Sequence, residues 1–153
     1  MNHITMPHLN INADIHNLTH YSDGDMARLQ VATRDIWQTG VLAALMTELD
    51  SIQEADGSKA LDHTLIFWGS DVSRGNVHAH DDMPFLLAGG GAGFRMGRYL
   101  RVGNPHPTNW GVQDPWRSYV PHNKLLVSVM NGFGVAGDTF GSTEFSGPLT
   151  GLT

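Results

Sequence analysis

Two short apolar runs decide the fold: residues 64–68 read TLIFW and residues 84–88 read PFLLA. Each run is apolar on both faces, which is typical of a strand buried inside a parallel sheet. A polar segment, residues 69–82, lies between them. The pattern predicts an α/β fold, with a partial, mostly parallel sheet against which helices pack.

Helical patterns surround the two predicted strands. Apolar residues recur at helical spacing and predict one long amphipathic helix over about residues 23–55. Gly40 lies mid-helix, where a close contact between helix and sheet would explain a residue of low helix propensity. A second helix is expected over about residues 121–133, with Gly134 placed to end it.

The chain is expected to form a single α/β module over residues 1–153. It divides into a histidine-rich irregular entry segment (1–21), a core (22–136) and a surface tail (137–153) rich in Gly, Ser and Thr. Two strands buried on both faces need neighbours on both sides, and the chain offers few. We therefore expect the module to be incomplete without another polypeptide, which completes the sheet or places it in a larger assembly.

Composition excludes several classes of function. The net charge of −6 argues against a nucleic-acid partner, which needs a basic face. The absence of cysteine excludes disulfides and thiolate metal sites. No apolar run approaches the ~20 residues of a membrane span, and the first residues lack the pattern of a signal peptide. Function therefore has to be sought among the nine histidines, because histidine is the commonest metal ligand.

The first histidine cluster precedes the long helix and contains His16 and His20. In helical geometry these two side chains share a face, an i, i+4 arrangement that can chelate one metal ion. The alternative is that both are polar loop residues which hydrogen-bond the backbone near a helix start.

The second cluster lies in residues 69–82, directly after the first predicted strand. In open α/β sheets, ligands bind at the carboxyl ends of strands. Imidazole and carboxylate together form the ligand set of zinc, iron and manganese sites. In an extended segment, residues 78 and 80 would point the same way; the alternative is a solvated loop whose last two carboxylates cap the next element. The candidate metal-site residues are Asp71, His78, His80, Asp81 and Asp82.

A glycine run, GGGAG, occupies residues 89–93. It invites a dinucleotide-binding interpretation, but a phosphate-binding loop should open a helix. Residues 94–101 have instead the pattern of a small hairpin that turns at Gly97. A tight turn is therefore the better interpretation of the run.

These segments, in this order, resemble the HXXSHH family, a bacterial family of uncharacterised function. Residues 16–21, HNLTHY, correspond to the motif that names the family, with Thr19 in place of Ser and Tyr21 in place of the last His. Residues 61–70, LDHTLIFWGS, resemble its strand segment. Residues 75–90, GNVHAHDDMPFLLAGG, resemble its Gly-Asn-x-His-x-His-Asp-Asp-x-Pro loop and second strand.

The resemblance implies a location and a fold. Family members are longer and often carry an export signal, so this chain would correspond to their C-terminal part and be periplasmic or extracellular. The family is distantly similar to the alkaline phosphatase and sulfatase superfamily, in which metal-binding Asp and His residues sit on loops after strands. By that analogy Asp71, His78 and His80 are the metal ligands.

The leading hypothesis is therefore a metal-dependent hydrolase of phosphate or sulfate esters. A divalent ion (zinc, iron, manganese or calcium) would lower the pKa of its bound water and so make the nucleophile. His16 or His20 would complete the site or act as general acid or base, and Asp81 and Asp82 would orient the imidazoles. The alternative is a non-catalytic subunit of a larger assembly, with a structural metal or hydrogen-bonded histidine loops.

Overall fold

The structure is a computed structural model that describes residues 4–20, 24–103 and 120–153. The chain divides into two compact units that interleave along the sequence. The first unit comprises Met1–Ile52 and Gly69–Phe85, and the second comprises Gln53–Trp68 and Leu86–Thr153. Tyr21, where the chain departs from the HXXSHH motif, lies outside the described residues.

The described residues form a mixed α/β structure, which confirms the predicted class at that level. A short 3-10 turn, Pro7–Leu9, precedes the first helix. The helices are α1 (Ile15–Thr19), α2 (Asp25–Ser51), α3 (Ala60–His63) and α4 (Asn123–Gly132). The strands are β1 (Ile66–Gly69), β2 (Phe85–Ala88), β3 (Thr139–Phe140) and β4 (Ser142–Ser146).

The core of the first unit lies between α1 and α2. Asp14 caps α1, because its carboxylate accepts a hydrogen bond from the backbone N–H of His16 at 3.4 Å. Leu18 then points inward and is buried with Ile11 and with Ala27 of α2. A five-residue helix is too short to be stable alone, so this packing fixes the position of α1.

Helix α2 is not the amphipathic helix that the spacing predicts. At about 100° per residue, Leu29 and Ile36 lie on one side, whereas Val41 and Leu45 lie roughly 120–180° away from them. All four are exposed. A Cβ added at Gly40 would have no atom of the described residues within 4 Å. The predicted contact between helix and sheet is therefore not seen at this position. None of the helices in the described part of the chain is long and apolar enough to cross a bilayer.

The prediction of a mostly parallel sheet is wrong for the strands that the structure describes. The end of β1 lies beside the start of β2, since a side chain at Gly69 would collide with the Phe85 ring. The segment before β1 lies beside the segment after β2, where Gly91 N–H donates to Thr64 O at 3.1 Å. The two strands therefore run antiparallel, and residues 70–84 connect them as a long hairpin loop rather than as the carboxyl edge of a parallel sheet.

The glycine run packs against the chain that enters β1. Gly90 N–H donates to Leu61 O at 2.9 Å, and a Cβ at Gly90 would lie 2.5 Å from Asp62 O. Gly91 is equally tight, with a Cβ 2.5 Å from His63 O. The residues after the run form no strand, so the predicted hairpin over 94–101 is absent. The glycines serve close backbone packing in a turn, as the sequence favours.

The C-terminal part of the second unit is a helix with an antiparallel hairpin beside it. Strands β3 and β4 pair antiparallel across Gly141. Ser128 is buried in α4, and its hydroxyl accepts from Leu149 N–H at 2.8 Å. Asn123 Nδ2 donates to Phe140 O at 2.7 Å. The tail is thus attached to α4 by hydrogen bonds.

Candidate metal centre

Helix α1 places His16 and His20 on one face, one turn apart. His16 lies in the helix and His20 is its C-cap residue. Their Nε2 atoms are 3.3 Å apart, and their ring centroids are 4.9 Å apart. The entry segment that the sequence analysis takes as irregular thus contains a short helix, and in this helix the pair has the common face that was considered for helical geometry.

The loop between β1 and β2 folds into a tight turn that presents His78. Arg74 and Ala79 form an antiparallel bridge, and Ser73 N–H donates to Ala79 O at 2.8 Å. Within this turn His78 adopts a left-handed backbone conformation with φ of 50°. His is one of the few non-glycine residues enriched in that region. The bridge at its base holds the turn together.

The turn brings His78 to the histidine pair of α1. Its ring centroid lies 4.9 Å from that of His20 and 6.3 Å from that of His16. One ligand nitrogen from each of the three residues lies within 4.8 Å of the others. His16 and His78 are exposed and His20 is half-buried, so the group is open to solvent. We call these three residues the histidine cluster.

Other predicted site residues have partners within the loop. His80 Nδ1 lies 2.7 Å from the backbone oxygen of Asp71, to which it donates. The Arg74 guanidinium pairs with Asp81 at 3.3 Å. Because His78 is left-handed, the backbone is not extended there, and the i, i+2 argument for a common direction of His78 and His80 loses its basis. The histidine cluster contains neither His80 nor any carboxylate of the loop.

The geometry of the cluster suits a metal ion. A tetrahedral zinc ion with Zn–N bonds of 2.0–2.1 Å holds two nitrogens roughly 3.3–3.4 Å apart. The His16–His20 separation of 3.3 Å matches such an edge. The same separation also suits an N–H···N hydrogen bond between one protonated and one unprotonated nitrogen. The His16–His20 pair can therefore be satisfied in the absence of an ion, and its spacing also fits two ligands of one ion.

From the sequence, His16 or His20 was expected to complete a site that contains His78, but a cluster of three imidazoles without Asp71 and His80 was not expected. Residues 16 and 20 were expected as acid–base groups or additional ligands, and residue 78 as a ligand beside Asp71 and His80. The i, i+4 spacing was the available signal for the pair. No spacing rule connects position 78 to α1, because their approach depends on how the loop folds.

A second polar cluster lies in the second unit and has a different character. Ser58 Oγ donates to Asp56 Oδ1 at 2.5 Å and lies 2.6 Å from His63 Nε2. The Ser58 hydroxyl, helped by its backbone N–H and the nearby His63, lowers the pKa of the exposed Asp56 carboxyl. The hydroxyl of a nucleophilic serine donates its hydrogen bond to the histidine base, whereas the Ser58 hydroxyl donates to the Asp56 carboxylate. The cluster stabilises a turn.

Comparison of the chain with family models, curated proteins and solved structures finds no match. The site therefore has to be interpreted from its own geometry.

Proposed function

We propose that the chain binds a divalent transition-metal ion through His16, His20 and His78. The observation that carries the proposal is the convergence of three imidazole nitrogens within 4.8 Å. Imidazole ligands suit zinc, copper, iron and nickel, whereas calcium takes oxygen ligands. Of the ions expected from the sequence, zinc fits this donor set best and calcium fits it least.

We propose hydrolysis as the chemistry of this centre. Catalytic zinc sites use three protein ligands and leave a fourth position for water, and the exposure of the cluster leaves room for one. A zinc-bound water loses a proton near neutral pH and becomes a nucleophile. Phosphate or sulfate esters are the proposed substrates, by the distant similarity of the HXXSHH family to the alkaline phosphatase and sulfatase superfamily. On this proposal His16 and His20 act as ligands rather than as acid–base groups.

Zinc titration of the purified, metal-free chain tests the ligand set. His78→Asn removes the imidazole but keeps a residue that tolerates the left-handed backbone, so we expect zinc binding to weaken strongly. His80→Asn is the matched variant in the same loop, and we expect it to bind zinc as the wild type does. Weakened zinc binding in both variants would support Asp71, His78 and His80 as the ligands instead. If wild type does not bind zinc, the proposal fails.

Activity is tested separately with p-nitrophenyl phosphate and p-nitrophenyl sulfate. We expect zinc-loaded wild type to hydrolyse at least one of the esters, and the metal-free chain and His78→Asn to hydrolyse neither. Zinc binding without turnover of either ester would leave a structural metal site and exclude the proposed reaction on these substrates.

A second candidate function is that of a subunit completed by another polypeptide. The exposed apolar side chains on opposite sides of α2, such as Ile36 and Val41, favour it, because apolar patches at a surface often mark sites of protein–protein contact. Phe67 and Leu86 of the β1–β2 sheet are also partly exposed. By the resemblance to the HXXSHH family, we also propose a periplasmic or extracellular location for the chain. Urea unfolding of the isolated chain tests the idea, and a cooperative, stable monomer would contradict it.

A further inference from the structure

Gly75 lies against the last turn of α1. A Cβ built at Gly75 would lie 2.7 Å from both Thr19 Cβ and Thr19 O, and 3.0 Å from Thr19 Oγ1. Thr19 is fixed in turn, since its hydroxyl donates to His16 O at 2.6 Å. The loop therefore touches α1 at a point where residue 75 has no space for a side chain.

The absence of a side chain at position 75 is a matter of space and not of backbone conformation. Gly75 is not among the glycines with positive φ, so alanine can adopt its backbone conformation. In ordinary packing a Cβ makes contacts at 3.4–4 Å. The contacts at 2.7 Å are with the backbone oxygen and Cβ of Thr19, which cannot rotate away.

We propose that Gly75 is the positioning residue of the metal centre: it lets the loop approach α1 closely enough for His78 to reach His16 and His20. This inference rests on the proposed metal site. Gly75 and His78 belong to the same turn, and His78 N–H points to Gly75 O at 3.5 Å. A displacement at Gly75 is therefore carried three residues along to the imidazole.

The size of the displacement decides the effect. The Cβ of an alanine at position 75 would lie about 0.7 Å closer to Thr19 than ordinary contact allows. The loop therefore has to move away from α1 by about that distance. Zinc holds its nitrogen ligands at 2.0–2.1 Å, so a shift of about 0.7 Å at His78 is large compared with the length of the bond. The His16–His20 edge lies within one helix and is not altered. Gly75→Ala should thus convert a three-imidazole site into a two-imidazole site.

The experiment compares zinc affinity in wild type, Gly75→Ala, His78→Asn and the double variant, by competition with a chromophoric chelator. X-ray absorption counts the imidazoles on the bound zinc. We expect Gly75→Ala to weaken zinc binding by roughly 10- to 100-fold, the range for residues that orient ligands, and to lower the imidazole count from three to two. Gly40→Ala is the control, because that site is open and alanine favours the helix.

The double variant separates positioning from general damage. If Gly75 acts through His78, adding Gly75→Ala to His78→Asn weakens zinc binding no further. If the double variant loses the residual binding of His78→Asn, the glycine supports the whole unit and the proposal is overturned. Wild-type affinity in Gly75→Ala also overturns it while leaving the metal site intact. Absence of zinc binding in wild type instead removes the metal site itself.

Discussion

Replacement of Leu18 by alanine tests how strongly the proposed metal centre depends on the packing of α1. Leu18 is 1% exposed, in contact with a cluster that includes Ile11 and Ala27. The change removes the equivalent of three methylene groups, each worth about 0.8 kcal/mol on transfer from water. The cavity left among these neighbours adds to that loss, and we expect a total of about 3 kcal/mol. This is a large part of the 5–15 kcal/mol that a typical domain has.

Urea unfolding followed by circular dichroism measures the effect, with Leu29→Ala as the matched control. Leu29 is 60% exposed on α2, so the same chemical change should cost less than about 0.5 kcal/mol there. If the proposed site binds zinc, zinc should stabilise Leu18→Ala less than it stabilises wild type, because α1 carries two of the three proposed ligands. Equal destabilisation by the two substitutions would refute the packing of α1 against α2.

Two further predictions concern the second unit. Ser58→Ala should raise the pKa of Asp56 toward its usual value, because the serine hydroxyl is the main cause of its lowering. Because the pKa of Asp56 is lowered in the folded protein, this carboxyl stabilises the fold above its unfolded pKa, and the stabilisation is lost as the pH falls through its folded pKa. An NMR titration of the Asp56 carboxyl in wild type and Ser58→Ala measures the shift. An unchanged pKa would contradict the prediction. Gly90→Ala should lower the urea midpoint, since its Cβ would lie 2.5 Å from Asp62 O, and an unaltered midpoint would exclude that close packing.

The sequence predicted the positions of β1 and β2 better than it predicted how these strands pair. The apolar runs TLIFW and PFLLA became strands within two residues of the expected bounds. Their orientation was wrong, because continuous apolarity reports burial on both faces and does not report strand direction. The hairpin of β3 and β4 was missed in a tail judged by its Gly, Ser and Thr content. Its signal was Gly141, which takes a positive φ of 72° between the two strands.

In the candidate site too, the local arrangement could be predicted from the sequence, and the contact between distant segments could not. The pairing of His16 with His20 follows from helical geometry, which is local and regular. The arrival of His78 depends on a left-handed residue and on contact between Gly75 and Thr19, 56 positions apart along the chain. Neither feature has a periodicity. The carboxylates and His80 were favoured because they cluster in sequence, yet Asp81 and His80 are engaged within their own loop.

The left-handed backbone at His78 also restricts which ligand types can replace this histidine in the proposed metal centre. Beyond glycine, that conformation is comfortable only for Asn, Asp and His, and of these only His and Asp are ordinary metal ligands. A change to Cys or Glu would have to overcome backbone strain before it contributed a donor atom. Aspartate escapes that strain, and with His16 and His20 it would give two imidazoles and a carboxylate, a donor set found in catalytic zinc sites and in non-haem iron oxygenases. One substitution in this turn would therefore give the proposed centre a donor set that catalytic zinc and iron enzymes share.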